Sequence, residues 1–499
     1  MSSPAMTTGG APEKRLSQSS SRSRTQTQQT QHQLPLHQGD VNTSTLGPDA
    51  AAAVGVDPRP AGPIAVRAEG ESGRSGIHPI RFLKITLRSS SWASRAVNIL
   101  WPAVPAALAV RYARPEWELA IFVLAYIAMI PCANLIGFAG QGLAQKLPHV
   151  WGVLAETTLG SLVEIILFMV LITRDIEKGG VDYIQVIRAA ILGSVLATML
   201  LCLGLCFIAG GIRREETTFS ETVSEAGSGL LLTAGFGLAI PTVFQRSLVG
   251  GALTDDELLD KTIDISRSTA VLLIIAYLIY VYFQARTHHG IYDVIFEEDS
   301  KRDADKHKDA HRHRLTLTEC ILALAVSIAL VAVLATILVD KIHYLVDQRH
   351  VSDAFVGLIL VPLVEKAAEH LTAIDEAWDN QMNFALSHVL GATLQTALFN
   401  GPLVVIVGWG LGKPMGLNFE TFDMVVLILA ILTVGNFLRD QKSNYLEGSL
   451  LVIVYVAIAV AAIYYPNPVI GHEGAAAAET PATGTGEGAV EAVHRLLMR

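Results

Sequence analysis

The sequence predicts an all-α membrane protein whose helices cross the bilayer many times. Hydrophobic residues make up 51% of the 499 positions and charged residues only 17%, whereas soluble globular proteins have a charged fraction of about 25%. The mean hydropathy is +0.42. Because backbone polar groups need partners inside lipid, each apolar run of about 20 residues is expected to be a helix.

Roughly eleven apolar runs are long enough to span a bilayer. They begin near Val97, Trp117, Trp151, Ile184, Gly227, Ile265, Leu315, Asp353, Asn383, Phe422 and Tyr445. The tail over residues 1–78 precedes them and shows no apolar core of a signal peptide. Its Ser, Thr, Gln, Gly and Pro content predicts disorder. It is either a tail without a task or a regulatory tail phosphorylated near Arg22 and Arg24.

The remaining chain divides into four regions. Residues 79–286 hold a basic segment, the first span and a first five-helix repeat, and residues 315–466 hold a second repeat. Between them, residues 287–314 form an acidic, His-rich central loop, and residues 467–499 are a loose C-terminal tail. The basic segment, with Arg81, Lys84, Arg88 and Arg95, suits an anionic membrane face. The central loop is either a solvated linker or a place where His307 and His311 bind divalent cations or sense pH.

If the first span stands apart, about five spans lie on each side of the central loop. An odd number of spans places the two sets in opposite orientations across the membrane. Such inverted repeats hold their substrate near the bilayer midplane, at the interface between the repeats. The predicted fold is therefore two inverted five-helix repeats plus an extra first helix.

Each repeat carries a glutamate in its second span, Glu164 in the first and Glu369 in the second. An ionised carboxylate at bilayer depth costs at least about 2.5–3.5 kcal/mol, so a helix keeps one only where it meets a cation, a proton path or a partner. Gly160 lies one turn before Glu164, and Pro362 lies two turns before Glu369. The two carboxylates in corresponding places point to ion transport.

Polar residues accompany both glutamates on the same helix face. In the first repeat they are Thr157, Gly160 and Ser161, and in the second they are Glu365, Lys366, His370, Thr372 and Glu376. Two facing stripes of this kind make an oxygen-lined site that suits a hard divalent cation. Carboxylates that also accept a proton permit the exchange of one ion for another. A structural salt bridge from Lys366 to Glu365 or Glu369 is the alternative, and it leaves Glu164 unexplained.

The span after each glutamate carries a matching run of small and polar residues. The run is Gly193-Ser194-Val195-Leu196-Ala197-Thr198 in the first repeat and Gly391-Ala392-Thr393-Leu394-Gln395-Thr396 in the second. Small residues let helices approach closely, and hydroxyl or amide groups supply oxygen ligands. Ser194, Thr198, Thr393 and Gln395 are therefore supporting candidates, although close helix packing alone also explains the pattern.

Other kinds of protein fit the sequence less well. An intramembrane zinc hydrolase of the H-x-x-E-H type needs histidine where Lys366 stands, and H-E-x-x-H does not occur in the sequence. Cys132, Cys202, Cys206 and Cys320 are expected to be small apolar packing residues. The net charge of −9 is spread over loops and tails and gives no reason to expect nucleic-acid binding. No enzymatic activity and no cofactor are expected.

Several motifs resemble those of one transporter family. The first repeat reads Gly160-Ser161-Leu162-Val163-Glu164-Ile165, the second reads Glu365-Lys366-Ala367-Ala368-Glu369-His370, and Lys442-Ser443-Asn444-Tyr445-Leu446-Glu447-Gly448 follows later. From about Asn98 to Pro466 the chain resembles the calcium/proton exchangers of the cation/calcium exchanger superfamily, of the fungal vacuolar type. The resemblance implies an eleven-span antiporter of the vacuolar membrane that exchanges Ca²⁺ for H⁺. It also implies that Glu164 and Glu369 are metal ligands and proton carriers.

The chain departs from that family inside the motifs themselves. Ser161 and Lys366 replace the two motif asparagines, Glu365 replaces a glycine, and Thr198 stands where the family usually has another asparagine. With Glu164, Glu365 and Glu369 ionised against Lys366, the site would hold a charge of about −2, which balances one Ca²⁺ or suits one monovalent cation with a shared proton. Na⁺ or K⁺ exchange with H⁺ is the second interpretation. A membrane sensor or scaffold without transport, its site filled by Lys366, is the third.

Overall fold

A computed structural model describes residues 76–88, 92–147, 155, 158–174, 182–251, 253–303 and 314–466. Residues 1–75 and 467–499, which make up almost all of the two predicted tails, lie outside the described residues. Thr157, His307 and His311 lie outside them as well. All four cysteines are described, and each is buried and free, which confirms their prediction as packing residues.

The N-terminal half is built from ten α-helices and one short strand among the described residues. The helices are α1 (Pro79–Arg88), α2 (Trp92–Val97), α3 (Ala103–Ala113), α4 (Glu118–Ala144), α5 (Leu162–Ile172), α6 (Tyr183–Leu196), α7 (Leu203–Gly211), α8 (Glu221–Leu248), α9 (Asp255–Tyr282) and α10 (His289–Arg302). A 3₁₀ turn covers Asn98–Leu100, and π-helical turns cover Ala197–Cys202 and Phe283–Thr287. The strand is β1 (Thr217–Thr218).

The C-terminal half repeats this pattern with shorter helices. They are α11 (Leu317–Val339), α12 (Ile342–Asp347), α13 (Asp353–Phe355), α14 (Val361–Glu365), α15 (Ala367–Trp378), α16 (Met382–Gln395), α17 (Gly401–Gly410), α18 (Thr421–Phe437) and α19 (Tyr445–Ile463). Further π-helical turns cover Val356–Leu360 and Thr396–Asn400. The second strand is β2 (Lys442–Ser443).

Side chains at the helix N-termini explain where several spans begin. The Asp182 carboxylate accepts from Ile184 N at 2.9 Å and so caps α6. Thr254 forms a capping box at the start of α9, and Thr316 forms one with Glu319 at the start of α11. These caps satisfy backbone N–H groups that a helix cannot pair internally.

The described residues contain eight helices that are long and apolar enough to cross a membrane. They are 94–113, 118–144, 183–211, 221–248, 255–287, 317–347, 382–410 and 445–463. The apolar helices α5 and α18 are shorter, and the segment from Asp353 to Trp378 is interrupted. The predicted class, an all-α polytopic membrane protein, is confirmed, and the number of eleven spans stays a prediction.

The two halves contact each other in a reciprocal way. The first helices of the two repeats, α4 and α11, pack together. In addition, α7 of the first half packs on α19, and α17 of the second half packs on α9. In the same manner α5 contacts α11, and α15 contacts α4. These contacts come in matching pairs, which is the arrangement that a pseudo-two-fold axis between repeats produces.

A two-stranded antiparallel sheet is the departure from an all-helical chain. Thr217 pairs with Ser443 and Thr218 with Lys442, and the Thr217 and Ser443 hydroxyls lie 2.7 Å apart. The sheet ties the chain after α7 to the chain before α19, so it reinforces the packing of these two helices.

The interface between α6 and the π-helical turn at 356–360 is close enough to require glycine. A Cβ added at Gly193 would lie 2.7 Å from Leu358 Cα, so only glycine permits this approach. The contact brings Ser194 of the first half next to the chain that leads to Glu365.

The described first part of the central loop, residues 287–303, contains α10, which packs against α16 of the second repeat. Asp299 is buried, and its carboxylate accepts from Asn383 N at 2.7 Å, from Asn383 Nδ2 at 2.9 Å and from Phe384 N at 3.2 Å. Phe296 stacks on Phe384 with ring centroids 4.6 Å apart. Asp299 thus caps α16, a helix that leads to the candidate site.

Candidate cation site

A kink occurs at the same motif position in both repeats. Ser161 (φ −85°, ψ 1°) precedes α5, and Lys366 (φ −93°, ψ −3°) separates α14 from α15. Backbone hydrogen bonds continue around the second kink, since Lys366 N donates to Pro362 O and His370 N donates to Lys366 O. The helices are therefore redirected beside the two glutamates without being unwound. Ser161 and Lys366 are also the two residues at which the resemblance described above implies motif asparagines.

Glu164 is buried on α5 and is held by the second half of the chain. The Thr396 hydroxyl lies 3.0 and 2.9 Å from its two carboxylate oxygens. Asn400 Nδ2 donates to Glu164 Oε2 at 2.6 Å. Both donors come from the π-helical turn 396–400, a feature that often marks functional sites. Charge-assisted hydrogen bonds of this kind fix the direction of the carboxylate.

Lys366 joins the two halves of the site. Its Nζ lies 2.8 Å from Glu164 Oε2 and 3.1 Å from Glu369 Oε2. The lysine and Glu164 side chains are each 1% exposed, and the Glu369 side chain is 20% exposed. A pair of unit charges about 4 Å apart attract by roughly 4 kcal/mol at an effective dielectric of 20, so this arrangement holds the carboxylates together. The pairing of Lys366 with Glu365 or Glu369 is predicted from the sequence, and the structure shows the pair with Glu369. Glu164 is a further partner that the sequence did not predict.

The Glu369 carboxylate lies directly over Gly160. A Cβ added at Gly160 would be 2.9 Å from Glu369 Oε1, so a larger residue at this position would push the carboxylate away. Gly160, Glu164 and Glu369, which come from different halves, meet around the Lys366 ammonium. The structure therefore brings together the two glutamates that the sequence singles out.

Glu365 ends α14, on the other side of the break at Lys366 from Glu369. It still lies close enough to Glu164, Lys366 and Glu369 to interact with them electrostatically. Glu365 is buried, and neither carboxylate oxygen has a hydrogen-bond partner among the described residues. Ser194 lies beside it without hydrogen-bond geometry.

Most of the supporting candidates also lie at the site. Gln395 Nε2 donates to Ser161 Oγ at 2.8 Å, which joins the two halves a second time. Thr198 Oγ1 lies 3.3 Å from His370 Nε2 and donates to Ser194 O. Thr393 is different, because its hydroxyl donates to the Val389 carbonyl of its own helix at 2.7 Å. Thr157 lies outside the described residues, so its predicted role stays a prediction.

Thr396 and Asn400 are site residues that the sequence analysis did not select. A signal was present, since Thr396 ends the second small-residue run and aligns with Thr198 in the first run. By the same alignment Asn400 corresponds to Cys202. The structure shows the equivalence, because Thr198 contacts His370 while Thr396 contacts Glu164.

Further polar groups follow α15 away from the glutamates. The Thr372 hydroxyl donates to Ala368 O, and Glu376 Oε2 lies 2.7 Å from His388 Nδ1 of α16. Thr372 and Glu376 belong to the predicted stripe on this helix. They extend the polar surface along the helix beyond Glu369.

No cluster of three or more His, Cys, Asp or Glu side chains is arranged for metal binding among the described residues. Ca²⁺ takes six to eight oxygen ligands, which include carbonyls, hydroxyls and water besides carboxylates. Asn400 Oδ1 is one such oxygen, buried and with no hydrogen-bond partner among the described residues. It lies on the same π-helical turn as the donors that hold Glu164.

The fold and this site can be compared with known proteins. A model of the sodium/calcium exchanger protein family matches residues 117–286 and 320–464, which together include both glutamates and both kinks. The chain belongs to this family. The match confirms the resemblance found in the motifs, and it identifies the protein as a secondary transporter of the exchanger type.

Relatives of this exchanger carry names that agree with the family. A "Vacuolar calcium ion transporter" of Schizosaccharomyces pombe is 33% identical over 354 residues, which cover 70% of this chain and 81% of the relative. A "Ca(2+)/H(+) antiporter" of Aphanothece halophytica is 32% identical over 353 residues, covering 70% of this chain and 91% of the relative. The solved structure of the Ca²⁺/H⁺ antiporter protein YfkE is 25% identical, with a TM-score of 0.59, and covers 74% of this chain and 100% of its own.

Proposed function

We propose that this exchanger is a cation/proton antiporter of the vacuolar membrane that moves Ca²⁺ into the vacuole in exchange for H⁺. The observation that carries the proposal is the meeting of Glu164 and Glu369 from opposite halves around one position, where Lys366 Nζ lies 2.8 and 3.1 Å from them. The relatives named as vacuolar calcium transporters and Ca²⁺/H⁺ antiporters support the choice of ion and compartment.

The two carboxylates perform the exchange in this proposal. Each can hold either a proton or part of the cation's coordination shell, so that binding one ion releases the other. Thr396 and Asn400 orient Glu164, while Ser161, Gln395, Thr198 and His370 shape the surrounding polar wall. Because both halves contribute, rocking one repeat against the other would expose the site to each side in turn.

The proposal needs no chemical step and no cofactor, since an antiporter couples two ion gradients. Its partners are inorganic cations, protons and the surrounding lipid bilayer. The chain division proposed from the sequence is retained: tails at 1–78 and 467–499, repeats within 79–286 and 315–466, and a central segment at 287–314. The repeats build the transporter in this division, and the N-terminal tail regulates it.

A monovalent cation/proton exchanger is the second candidate, and Lys366 favours it. Glu164 and Glu369 together carry a charge of −2 when ionised, and the paired lysine reduces this to −1 when the neighbouring buried Glu365 holds a proton. A charge of −1 matches one Na⁺ or K⁺ better than one Ca²⁺. A sensor or scaffold without transport remains the alternative of another class.

Ion uptake into vesicles separates the three candidates. The full chain would be reconstituted into liposomes with an acidic interior, and uptake of radioactive calcium would be followed as the proton gradient dissipates. Calcium uptake that stops when the gradient is abolished supports the first candidate, and proton release driven by Na⁺ or K⁺ supports the second. If neither signal is seen, transport is excluded and the sensor or scaffold is the candidate that is left.

Glu164→Gln and Glu369→Gln test the site within the same assay. Each should abolish exchange, because glutamine cannot exchange a proton for a cation. Glu118→Gln is the matched control. Glu118 Oε2 lies 3.2 Å from Lys341 Nζ, and this ion pair is outside the site. Full transport by either site variant would contradict the assignment.

A further inference from the structure

Lys366 places a positive charge where the cargo cation is expected. Its ammonium is 2.8 Å from Glu164 Oε2 and 3.1 Å from Glu369 Oε2, and its side chain is 1% exposed. The two carboxylates come from different halves of the chain. An ammonium between two carboxylates is chemically equivalent to a bound monovalent cation that the chain itself supplies.

The position of this ammonium is fixed from several directions. The kink at Lys366 separates α14 from α15, and Glu369 lies three residues further along the second of these helices. On the other side, the Thr396 hydroxyl and Asn400 amide hold Glu164. These contacts hold the Lys366 ammonium in one position between the two carboxylates.

We infer that Lys366 is a tethered cation that occupies the cargo position and competes with Ca²⁺ for Glu164 and Glu369. The inference deepens the proposed function and rests on it for the place of the cargo. A Ca²⁺ ion that takes both carboxylates as ligands must displace the ammonium from them, since two positive charges cannot share the position. Lys366 thereby weakens Ca²⁺ binding and lets a monovalent ion compete.

Calcium binding to the purified full chain tests this inference directly. Isothermal titration calorimetry in detergent would compare the wild type with Lys366→Gln and Lys366→Arg. Lys366→Gln removes the positive charge and should lower the Ca²⁺ dissociation constant by at least about tenfold. A tenfold change corresponds to about 1.4 kcal/mol of binding free energy. Lys366→Arg keeps the charge and should bind Ca²⁺ no more tightly than the wild type.

Lys341→Gln is the matched control, because it removes a lysine from another partly buried ion pair, with Glu118, outside the site. Its Ca²⁺ affinity should equal that of the wild type. A thermal unfolding scan of each variant without Ca²⁺ shows whether the variant is folded. If Lys366→Gln does not fold, Lys366→Met takes its place in the comparison. If the ion pairs of Lys366 only stabilise the fold, the neutral variants will lose thermal stability without binding Ca²⁺ more tightly, and the inference is wrong.

The binding experiment separates this inference from the proposed function. Tighter Ca²⁺ binding by the neutral variant supports the tethered cation even if the wild type transports only monovalent ions. Equal Ca²⁺ affinity in wild type and neutral variant, or no binding by either, overturns the inference even if the wild type transports Ca²⁺.

A separate observation concerns α1, which presents three distinct faces. One face is packed on the protein, with Ile85 and Phe82 against Leu315 and Cys320 of the second repeat. The opposite side exposes apolar residues at helical spacing: Ile80 is 86%, Leu83 57% and Leu87 47% exposed. The exposed Arg81, Lys84 and Arg88 lie beside this apolar stripe.

The helix is anchored at the end of a membrane-spanning helix. His78 N donates to Glu319 Oε1 at 3.1 Å, and the Thr316 hydroxyl donates to Gly76 O at 2.8 Å. Thr316 and Glu319 form the cap of α11. The apolar stripe of α1 therefore lies beside the N-terminal end of the candidate span 317–347.

We also propose that α1 binds anionic phospholipids, with its leucine and isoleucine side chains in the acyl region and its basic side chains on the headgroups. Basic amphipathic helices are attracted to anionic leaflets by about 1 kcal/mol per Lys or Arg near the surface. The occupant is lipid, because the basic edge requires an anion and the apolar stripe adjoins the membrane-spanning bundle.

A label on α1 tests this proposal in the full chain. Leu83→Cys would carry an environment-sensitive fluorophore, which is selective because the four native cysteines are buried. In liposomes of phosphatidylcholine with phosphatidylserine, the label should be quenched more by spin-labelled phosphatidylserine than by spin-labelled phosphatidylcholine. Replacing Arg81, Lys84 and Arg88 by Gln should remove the difference. Equal quenching by both lipids before that replacement would overturn the proposal.

Discussion

The Thr396 hydroxyl lies 3.0 and 2.9 Å from the two carboxylate oxygens of Glu164 and so joins the second repeat to the glutamate of the first. Its counterpart in the first repeat, Thr198, lies 3.3 Å from His370, the residue after the second glutamate. Each repeat thus supports the acidic motif of the other. A change in one repeat is therefore expected to affect ion binding by both.

Thr396→Val should lower both transport and thermal stability. Valine keeps the shape of threonine but removes a hydrogen bond to a charged group, which contributes about 1.5–3 kcal/mol. Thr393→Val is the control, because the Thr393 hydroxyl donates only to Val389 O. Uptake by reconstituted protein measures the first effect and a thermal scan the second. Equal effects of the two variants would show that the Thr396 contact is not used.

Gly160→Ala should abolish cation exchange while the protein still assembles in the membrane. The added Cβ would lie 2.9 Å from Glu369 Oε1 and must displace that carboxylate from Lys366. Gly391→Ala is the matched control, since among the described residues a Cβ at Gly391 would meet no packed neighbour within 4 Å beyond its own helix backbone. Size-exclusion profiles report assembly, and uptake reports exchange. Normal uptake by Gly160→Ala would contradict the prediction, because it would show that exchange does not need the Glu369 carboxylate in its position over Gly160.

Removal of residues 1–75 should leave an assembled transporter and is expected to raise its activity. The composition of this tail cannot bury a core, whereas Gly76 and His78 hold the start of α11 and must be kept. A second truncation that also removes 76–88 is expected to lose thermal stability. Loss of membrane-inserted protein in the shorter truncation would show that the tail is structural.

The docking of α10 should depend on pH through Asp299, which lies outside the spans. Burial raises the pKa of the Asp299 carboxyl above its ordinary value, although hydrogen bonds from Asn383 and Phe384 oppose the shift. A raised pKa in the folded state means that protonation favours folding. The stabilisation by Asp299 is complete below its unfolded-state pKa of about 3.9. It is lost as the pH rises through the pKa of Asp299 in the folded state.

The wild type should therefore gain thermal stability relative to Asp299→Asn as pH is lowered from neutral. The difference between the two proteins isolates Asp299 from other titrating groups. Thermal scans at a series of pH values measure it, and hydrogen exchange of residues 289–302 shows whether α10 remains docked. A difference that shrinks on acidification would mean that the hydrogen bonds outweigh burial.

Much of the fold follows from the sequence because bilayer chemistry is nearly local. A run of apolar residues must be helical wherever it lies in lipid, so α4, α11 and α19 are predicted from composition. The isolated glutamates Glu164 and Glu369 stand out for the same reason, since lipid makes each of them costly. The order of the motifs along the chain then indicates the repeat and the family, and the family is confirmed.

Tertiary structure alone decides which charges meet. Helical spacing predicts the partners of Lys366 on its own helix, but the structure also places its ammonium 2.8 Å from Glu164 of the other half. Helical spacing cannot give that partner, because it depends on how the repeats pack. The same packing brings Thr396 and Asn400 to Glu164. The sequence by itself thus determined the helices and the two acidic positions, and the contact between the repeats decided the composition and charge of the site.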